Sequence, residues 1–253
     1  MASVFAWAIR KRVLRGKLRH IAQRALSGTG HDIEIDGIRL RCYLADNATE
    51  RDIFVGGPDA PRIGLKRVVE GLKPGDVFVD IGANCGIFTA FAAQRVGPEG
   101  HVIAIEPIPE MIERLRFNVA VNGFTNVAIF QTAVGSEVGT ALLHIHPRNR
   151  GQSSMAPDAV GTPKQVSVTP LADIVVSAGV RRIDTLKIDI EGFEDRALAP
   201  FISTMPSSLW PSRIFMETVH SGRWAIDCVE VLLDAGYTRL WQDKHNIALA
   251  LQA

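Results

Sequence analysis

Apolar and polar residues along this chain follow two periods, and the switches between them mark out its elements. Short apolar, β-branched runs bounded by turn residues predict strands at Val77-Phe78-Val79, His101–Glu106, Val127–Gln131, Thr185–Glu191 and Ser212–Glu217. Helical spacing predicts helices over Ile87–Ala93, Pro107–Asn122, Pro170–Ala178 and Ala225–Ala235, the last closed by Gly236. Ala133-Val134-Gly135 reads as the exit from the third strand, and Thr140–Ile145 as a fourth, peripheral strand. Upstream, Ile33–Leu44 alternates around Asp36-Gly37, a hairpin signal, and Arg62–Leu72 predicts a short helix. Tyr237–Trp241 and Asn246–Leu251 predict a terminal hairpin. The stretch His146–Lys164 is rich in Gly, Pro, Ser and Asn and reads as a long loop, either a lid or a mobile surface connection. Strands alternating with helices predict an α/β fold with a doubly wound, mainly parallel sheet, no internal repeat and no second domain. The chain thus divides into a leading helix (1–30), a β-hairpin and helical lead-in (31–72) and the main domain (73–253).

Composition changes this picture at one end. The 253 residues are 47% hydrophobic and 22% charged, as in an ordinary soluble globular protein, with no apolar run long enough to span a bilayer. Net charge is +1, but residues 1–30 hold seven of the 28 basic residues and no acid. The remaining 21 basic against 27 acidic residues leave the body six negative, which argues against nucleic acid as a partner. Val4–Leu26 is a basic amphipathic helix by spacing: it packs on the domain or on a second subunit, lies on an anionic membrane surface, or is a transit peptide. The charges follow its short apolar run, which argues against a signal peptide. Cys42, Cys85 and Cys228 show no CxxC spacing and an odd count, so a reduced, cytoplasmic setting is expected.

The candidate chemistry lies at two strand ends. After Val77-Phe78-Val79 come Asp80, Gly82, Asn84 and Gly86, a strand–turn–helix unit of the kind that brings backbone close to a nucleotide-like ligand. Against G-x-G-x-x-G, only Gly82 fits; Asn84 and Ile87 stand where the next two glycines would be, which counts against a dinucleotide. An acid at the strand tip instead suits a cationic ligand, and S-adenosylmethionine carries a sulfonium and an ammonium. Glu106 ends the second strand, where an acid meets ribose hydroxyls in such folds. In Leu186–Glu194, Lys187, Asp189 and Glu191 alternate with apolar residues. Charges on a central strand must be paired, terminal or functional, unless the strand is an edge with a solvated face.

These stretches together resemble the FkbM-type methyltransferase family, S-adenosylmethionine-dependent enzymes that are mostly O-methyltransferases. The matching residues are Lys73-Pro74-Gly75-Asp76, Asp80-Ile-Gly-Ala-Asn84-x-Gly86, Ile105-Glu106-Pro107, Asn118, Asn122-Gly123, Gln131-Thr132-Ala133 and Lys187-Ile-Asp-Ile-Glu-Gly-x-Glu194. The resemblance implies a seven-stranded sheet whose last strand is antiparallel. It also implies that Asp80, Gly82, Ala83, Asn84 and Gly86 hold the methionine part of the cofactor, that Glu106 beside Pro107 accepts from both ribose hydroxyls, and that Thr132 and Ala133 border the adenine.

For catalysis, Asp189 and Glu191 end one strand, and Glu217 and His220 follow the next, so Asp189 or His220 is expected to take the acceptor proton. Asp189, Glu191 and Glu217 would also suit Mg²⁺, although no ligand spacing demands a metal. The expected acceptor is a hydroxyl on a sugar, polyketide, lipid or glycan. Arg148 and Arg150 either meet an anionic group on it or are solvated loop charges. Two other readings compete: a nicotinamide-dependent oxidoreductase, and a non-enzymatic binding module tethered by its basic leading helix. Oligomeric state is not legible.

Overall fold

The structure is a computed structural model that describes residues 30–59 and 64–252. The leading basic helix expected over Val4–Leu26 lies outside the described residues. The chain enters through the expected hairpin, β1 (Gly30–Ile35) and β2 (Ile38–Tyr43), whose two-residue turn places Asp36 and Gly37 at φ 51° and 79°. Its inner face (Ile33, Ile35, Ile38, Leu40) and the helix α1 (Ala48–Gly56) pack with Ile53 and Phe54 on α3 (Ile87–Val96) through Ile87, Ala90 and Phe91. The outer edge of β2 is covered by α4 (Pro109–Ala120) and its exit: Asn118 Oδ1 and Asn122 Oδ1 accept from the backbone of Arg41 and Arg39, each at 2.8 Å. The expected lead-in helix is short, α2 (Leu65–Val69).

Seven strands form the main sheet: β3 (Val77–Ile81), β4 (His101–Ile105), β5 (Val127–Phe130), β9 (Thr185–Ile188), β10 (Arg213–Glu217), β11 (Tyr237–Gln242) and β12 (Asn246–Leu251). Their order is β11-β12-β10-β9-β3-β4-β5, with β5 to β10 parallel and β12 antiparallel to both neighbours, the expected topology. Helices α5 (Leu171–Ser177), α6 (Glu194–Thr204) and α7 (Cys228–Asp234) complete the covering layers. From β3 the chain winds outward to β5, then returns to β9 on the other side. The strand order reverses between β3 and β9, and such a reversal opens a crevice at the strands' carboxyl ends.

Three expectations are corrected. Ala133–Gly135 is a strand of its own, β6, not the exit of β5. It joins β7 (Gly139–Ile145) and β8 (Thr162–Pro170) in a separate three-stranded sheet, so the long loop ends at residue 161. Proline masked β8, and the structure tolerates it because β6 reaches only Val168–Pro170, leaving Pro163 without a strand on that side. Finally, β9 ends at Ile188 and lies between β3 and β10, so it is no edge strand, and Asp189 and Glu191 sit in the loop beyond it.

Candidate functional site

A cavity of about 950 Å³ opens along the carboxyl ends of β4, β3, β9 and β10. Its first wall is the turn after β3. Gly82 N and Ala83 N both donate to Ile105 O at 3.0 Å, folding the turn back over β4. Gly82 has φ 74°, and a Cβ there would lie 2.1 Å from Asp189 O, so only glycine lets the two strand exits meet. Asn84, at φ 54°, accepts from Cys85 N (2.8 Å) and from Asn47 Nδ2 (2.5 Å) on its Oδ1.

Glu106 lies beneath this turn and is 5% exposed. Its Oε2 accepts from Asn84 N and its Oε1 from Ile108 N, both at 2.9 Å. Burial outweighs these donors and pushes its carboxyl up to about 7. Thr132 and Ala133 line the same end, with the Thr132 hydroxyl 2.9 Å from Thr169 Oγ1.

Six expected cofactor residues line the cavity: Gly82, Asn84, Glu106, Pro107, Thr132 and Ala133. Ala83 and Gly86 are buried and off its surface, Gly86 against Leu115. Asp80 is corrected most sharply. It is fully buried and off the cavity: Thr89 Oγ1 donates to its Oδ2 (2.7 Å), and Lys187 Nζ lies 3.4 Å from its Oδ1. Asp80 and Lys187 face each other in the β3–β9 register, so the charge expected to attract a ligand is compensated within the sheet. Burial disfavours the Lys187 ammonium, but Asp80, Asp189 and Glu106 outweigh it and hold its pKa above the usual lysine range. The ammonium also donates to Gly82 O (2.8 Å) and lies over the Phe88 ring, which ties the turn to β9.

The four expected catalytic residues converge at the other end of the cavity. Asp189, Glu191, Glu217 and His220 all line it. His220 Nε2 is 2.8 Å from Glu191 Oε2. Burial together with Asp189 and Glu194 pushes Glu191 up to about 8, while burial and Arg223 hold His220 below the usual imidazole range. Burial therefore disfavours charge on both partners of this contact. Burial and its carboxylate neighbours also push Glu217 up, and its Oε2 is buried without a hydrogen-bond partner. Glu191, Glu217 and His220 each offer a ligand atom within 4.8 Å of the others, a set that could hold a divalent cation.

Glu194, the last residue of the matched motif, pins this loop: it accepts from Ile190 N (3.0 Å), Gly192 N (3.3 Å) and Trp224 Nε1 (2.7 Å). Gly192, at φ 99°, keeps clear of His220 and Arg223, whose atoms a Cβ would meet at 3.2 and 2.8 Å.

The N-terminal cover contributes residues that the sequence reading missed. Ala48 and Thr49 of α1 line the cavity, and Asn47 caps that helix by accepting from Glu50 N (3.2 Å). The signal was available as Asn47-x-x-Glu50, an N-cap residue with a glutamate three positions on. Arg150, expected to meet an acceptor or solvent, is instead paired with Asp46 at 2.7 Å, while Arg148 is exposed. Among the described residues no helix is long and apolar enough to cross a membrane.

The Methyltransferase FkbM domain matches residues 80–224. The chain is 31% identical over 220 residues to the 31-O-demethyl-FK506 methyltransferase FkbM of Streptomyces tacrolimicus, covering 74% of this chain and 80% of that enzyme. It is 29% identical over 164 residues to the arsenite methyltransferase of Halobacterium salinarum, covering 54% of this chain and 42% of that enzyme. Among solved structures it is similar to the methyltransferase FkbM of Methylobacillus flagellatus, at 17% identity and TM-score 0.48 over 82% of this chain and 56% of that one. The chain belongs to the FkbM methyltransferase family, a family of S-adenosylmethionine-dependent enzymes.

Proposed function

We propose that this protein transfers the methyl group of S-adenosylmethionine to a hydroxyl of its acceptor. The residues present suit the cofactor. Gly82 leaves the turn free of a Cβ, Glu106 keeps further lone pairs for a ribose diol beyond the two backbone donors it accepts, and Thr132 and Ala133 offer a wall for adenine. The carboxylates Asp189, Glu191 and Glu217 would face the sulfonium end. When bound, the cofactor supplies an already activated methyl group, so the protein's part is to orient the acceptor and receive its proton.

The observation that carries the oxygen assignment is the Glu191–His220 contact. A neutral imidazole whose Nε2–H donates to Glu191 Oε2 at 2.8 Å keeps its Nδ1 lone pair to accept a hydroxyl proton, and Glu191 fixes that tautomer. Asp189, two residues before Glu191 on the same loop, is the second candidate base. The FkbM enzyme of Streptomyces tacrolimicus is named for methylation at an oxygen, which supports the same reading. Acceptors of the sugar, polyketide, lipid and glycan classes all present such a hydroxyl. The nicotinamide alternative has no support in the turn, where Asn84 occupies the position of the second glycine.

The test is methyl transfer from labelled S-adenosylmethionine to a panel of hydroxyl and amine acceptors, with the methylated atom read by NMR. An O-methyl product formed about 10²–10⁴-fold more slowly by His220→Ala is expected. An N-methyl product, or equal rates in His220→Ala and Asp189→Asn, would contradict the assignment.

A further inference from the structure

The segment Asn149–Met155 lines the cavity as a strap, and its two ends are held differently. At the far end Ser154 is buried; its hydroxyl donates to Glu191 O (3.0 Å), and its backbone exchanges bonds with His144 of β7. In the middle, Gly151 runs so close to the turn after β3 that a Cβ on it would lie 3.0 Å from Asn84 Nδ2. The near end rests on the N-terminal cover. Arg150 N donates to Asp46 O and Arg150 Nε to Asp46 Oδ2, both at 2.7 Å, and Asn149 Oδ1 accepts from Ala48 N at 2.9 Å in the first turn of α1.

Asp46 is itself held from behind. Arg114 Nη2 donates to both of its oxygens at 2.9 Å, Arg114 Nη1 donates to the buried Glu50 (2.6 Å), and the guanidinium lies over the Tyr43 ring. The anion is thus fixed on the body of the protein, whereas Arg150 belongs to the strap. The Arg150 and Asp46 side chains are 26% and 20% exposed, so this end can part into water while Ser154 stays buried. Asn149, Arg150, Gly151 and Ser153 line the same cavity as Gly82, Asn84 and Glu106, so a ligand seated against the turn shares it with this end of the strap.

We propose that Arg150 is a positioning residue. By latching the strap to Asp46 it sets how long the cofactor stays in the cavity, and the Ser154–Glu191 bond carries the closed strap to the loop that holds the acidic cluster. This rests on the cavity being the cofactor's site and is independent of which atom is methylated.

In the test, protein loaded with radiolabelled S-adenosylhomocysteine is chased with excess unlabelled compound. Arg150→Gln, which leaves Asp46 on Arg114, is expected to release the label at least tenfold faster, with a much smaller change in the association rate. Arg150→Lys should recover part of the retention, and Arg148→Gln, at an exposed position on the same loop, should release at the wild-type rate. Wild-type release from Arg150→Gln, or equal acceleration by Arg148→Gln, overturns the latch. A wild-type protein that retains no label overturns the cavity as the cofactor's site and the latch with it. That outcome is separate, because unchanged release presupposes binding.

Discussion

Under the proposed reading, Glu106 is the residue whose protonation most directly sets cofactor affinity. Burial pushes its carboxyl up to about 7, and a ribose diol is best held by the ionised carboxylate as acceptor. Affinity for S-adenosylhomocysteine is therefore expected to rise between pH 6 and 8, and Glu106→Gln should bind more weakly with that pH step lost. A step of equal size in the variant would move the titration to another group. The Asp80–Lys187 pair makes a different kind of demand. Removing one partner of a buried pair costs about 3–5 kcal/mol, because the other is left charged and desolvated. Lys187→Met should therefore lower unfolding stability by that order in a denaturant titration and loosen the turn through the lost bond to Gly82 O. Stability unchanged in Lys187→Met would show that Asp80 is held by Thr89 alone. The pair also shows how far residue types could be read. An acid at a strand tip and a lysine on an apolar strand were each visible as anomalies. That they answer one another depends on β9 lying beside β3, a register between residues over a hundred positions apart.

At the scale of elements, the glycine turn and the β9 exit are built against each other. Gly82→Ala would place a Cβ 2.1 Å from Asp189 O and force a side chain onto φ 74°. The backbone strain alone is about 1–3 kcal/mol, and the clash adds to it. We expect loss of cofactor binding together with a lower melting temperature; retained binding would mean that the turn shifts freely of β9. The central strands were legible because five parallel strands covered on both faces leave apolar runs with turn residues at each end. The three-stranded sheet was not: β7 was legible as a peripheral strand, but prolines near both ends of Thr162–Pro170 hid β8, and Ala133–Gly135 read only as a strand exit. The β6–β8 pairing is long-range and leaves little local trace. The extent of β9 was overread for a related reason. Asp189 and Glu191 continue its alternation in sequence, but Glu191 takes φ 57° and leaves the strand.

For the whole molecule, the buried acids give stability a direction in pH. Burial raises Glu50 and Glu106 to about 7 and Glu191 to about 8, from about 4.5 in the unfolded chain. Between pH 4.5 and 8 the native state therefore binds more protons than the unfolded state, and its stability falls as pH rises. His220, held below 6.5, acts in the opposite sense by losing stability as pH falls, but it is one group against these three and Glu217, which burial also pushes up. The ligand-free protein should melt higher at pH 5.5 than at 7.5 in a calorimetric scan, and the reverse order would contradict the buried carboxyls. The cavity joins parts from across the chain: the N-terminal cover, the β3 turn, the strap and the β9 and β10 exits. Most of its lining was legible in the motifs, whereas the pairing of Arg150 with Asp46 and of Asn47 with Asn84 was not. The central claim is that this cavity holds S-adenosylmethionine through the β3 turn and Glu106. Calorimetric titration with S-adenosylhomocysteine, with Glu106→Ala and NADH as comparators, tests it directly. Micromolar binding to the wild type, lost in the variant and absent for NADH, is the expected result; no binding to the wild type, or a preference for NADH, would contradict it.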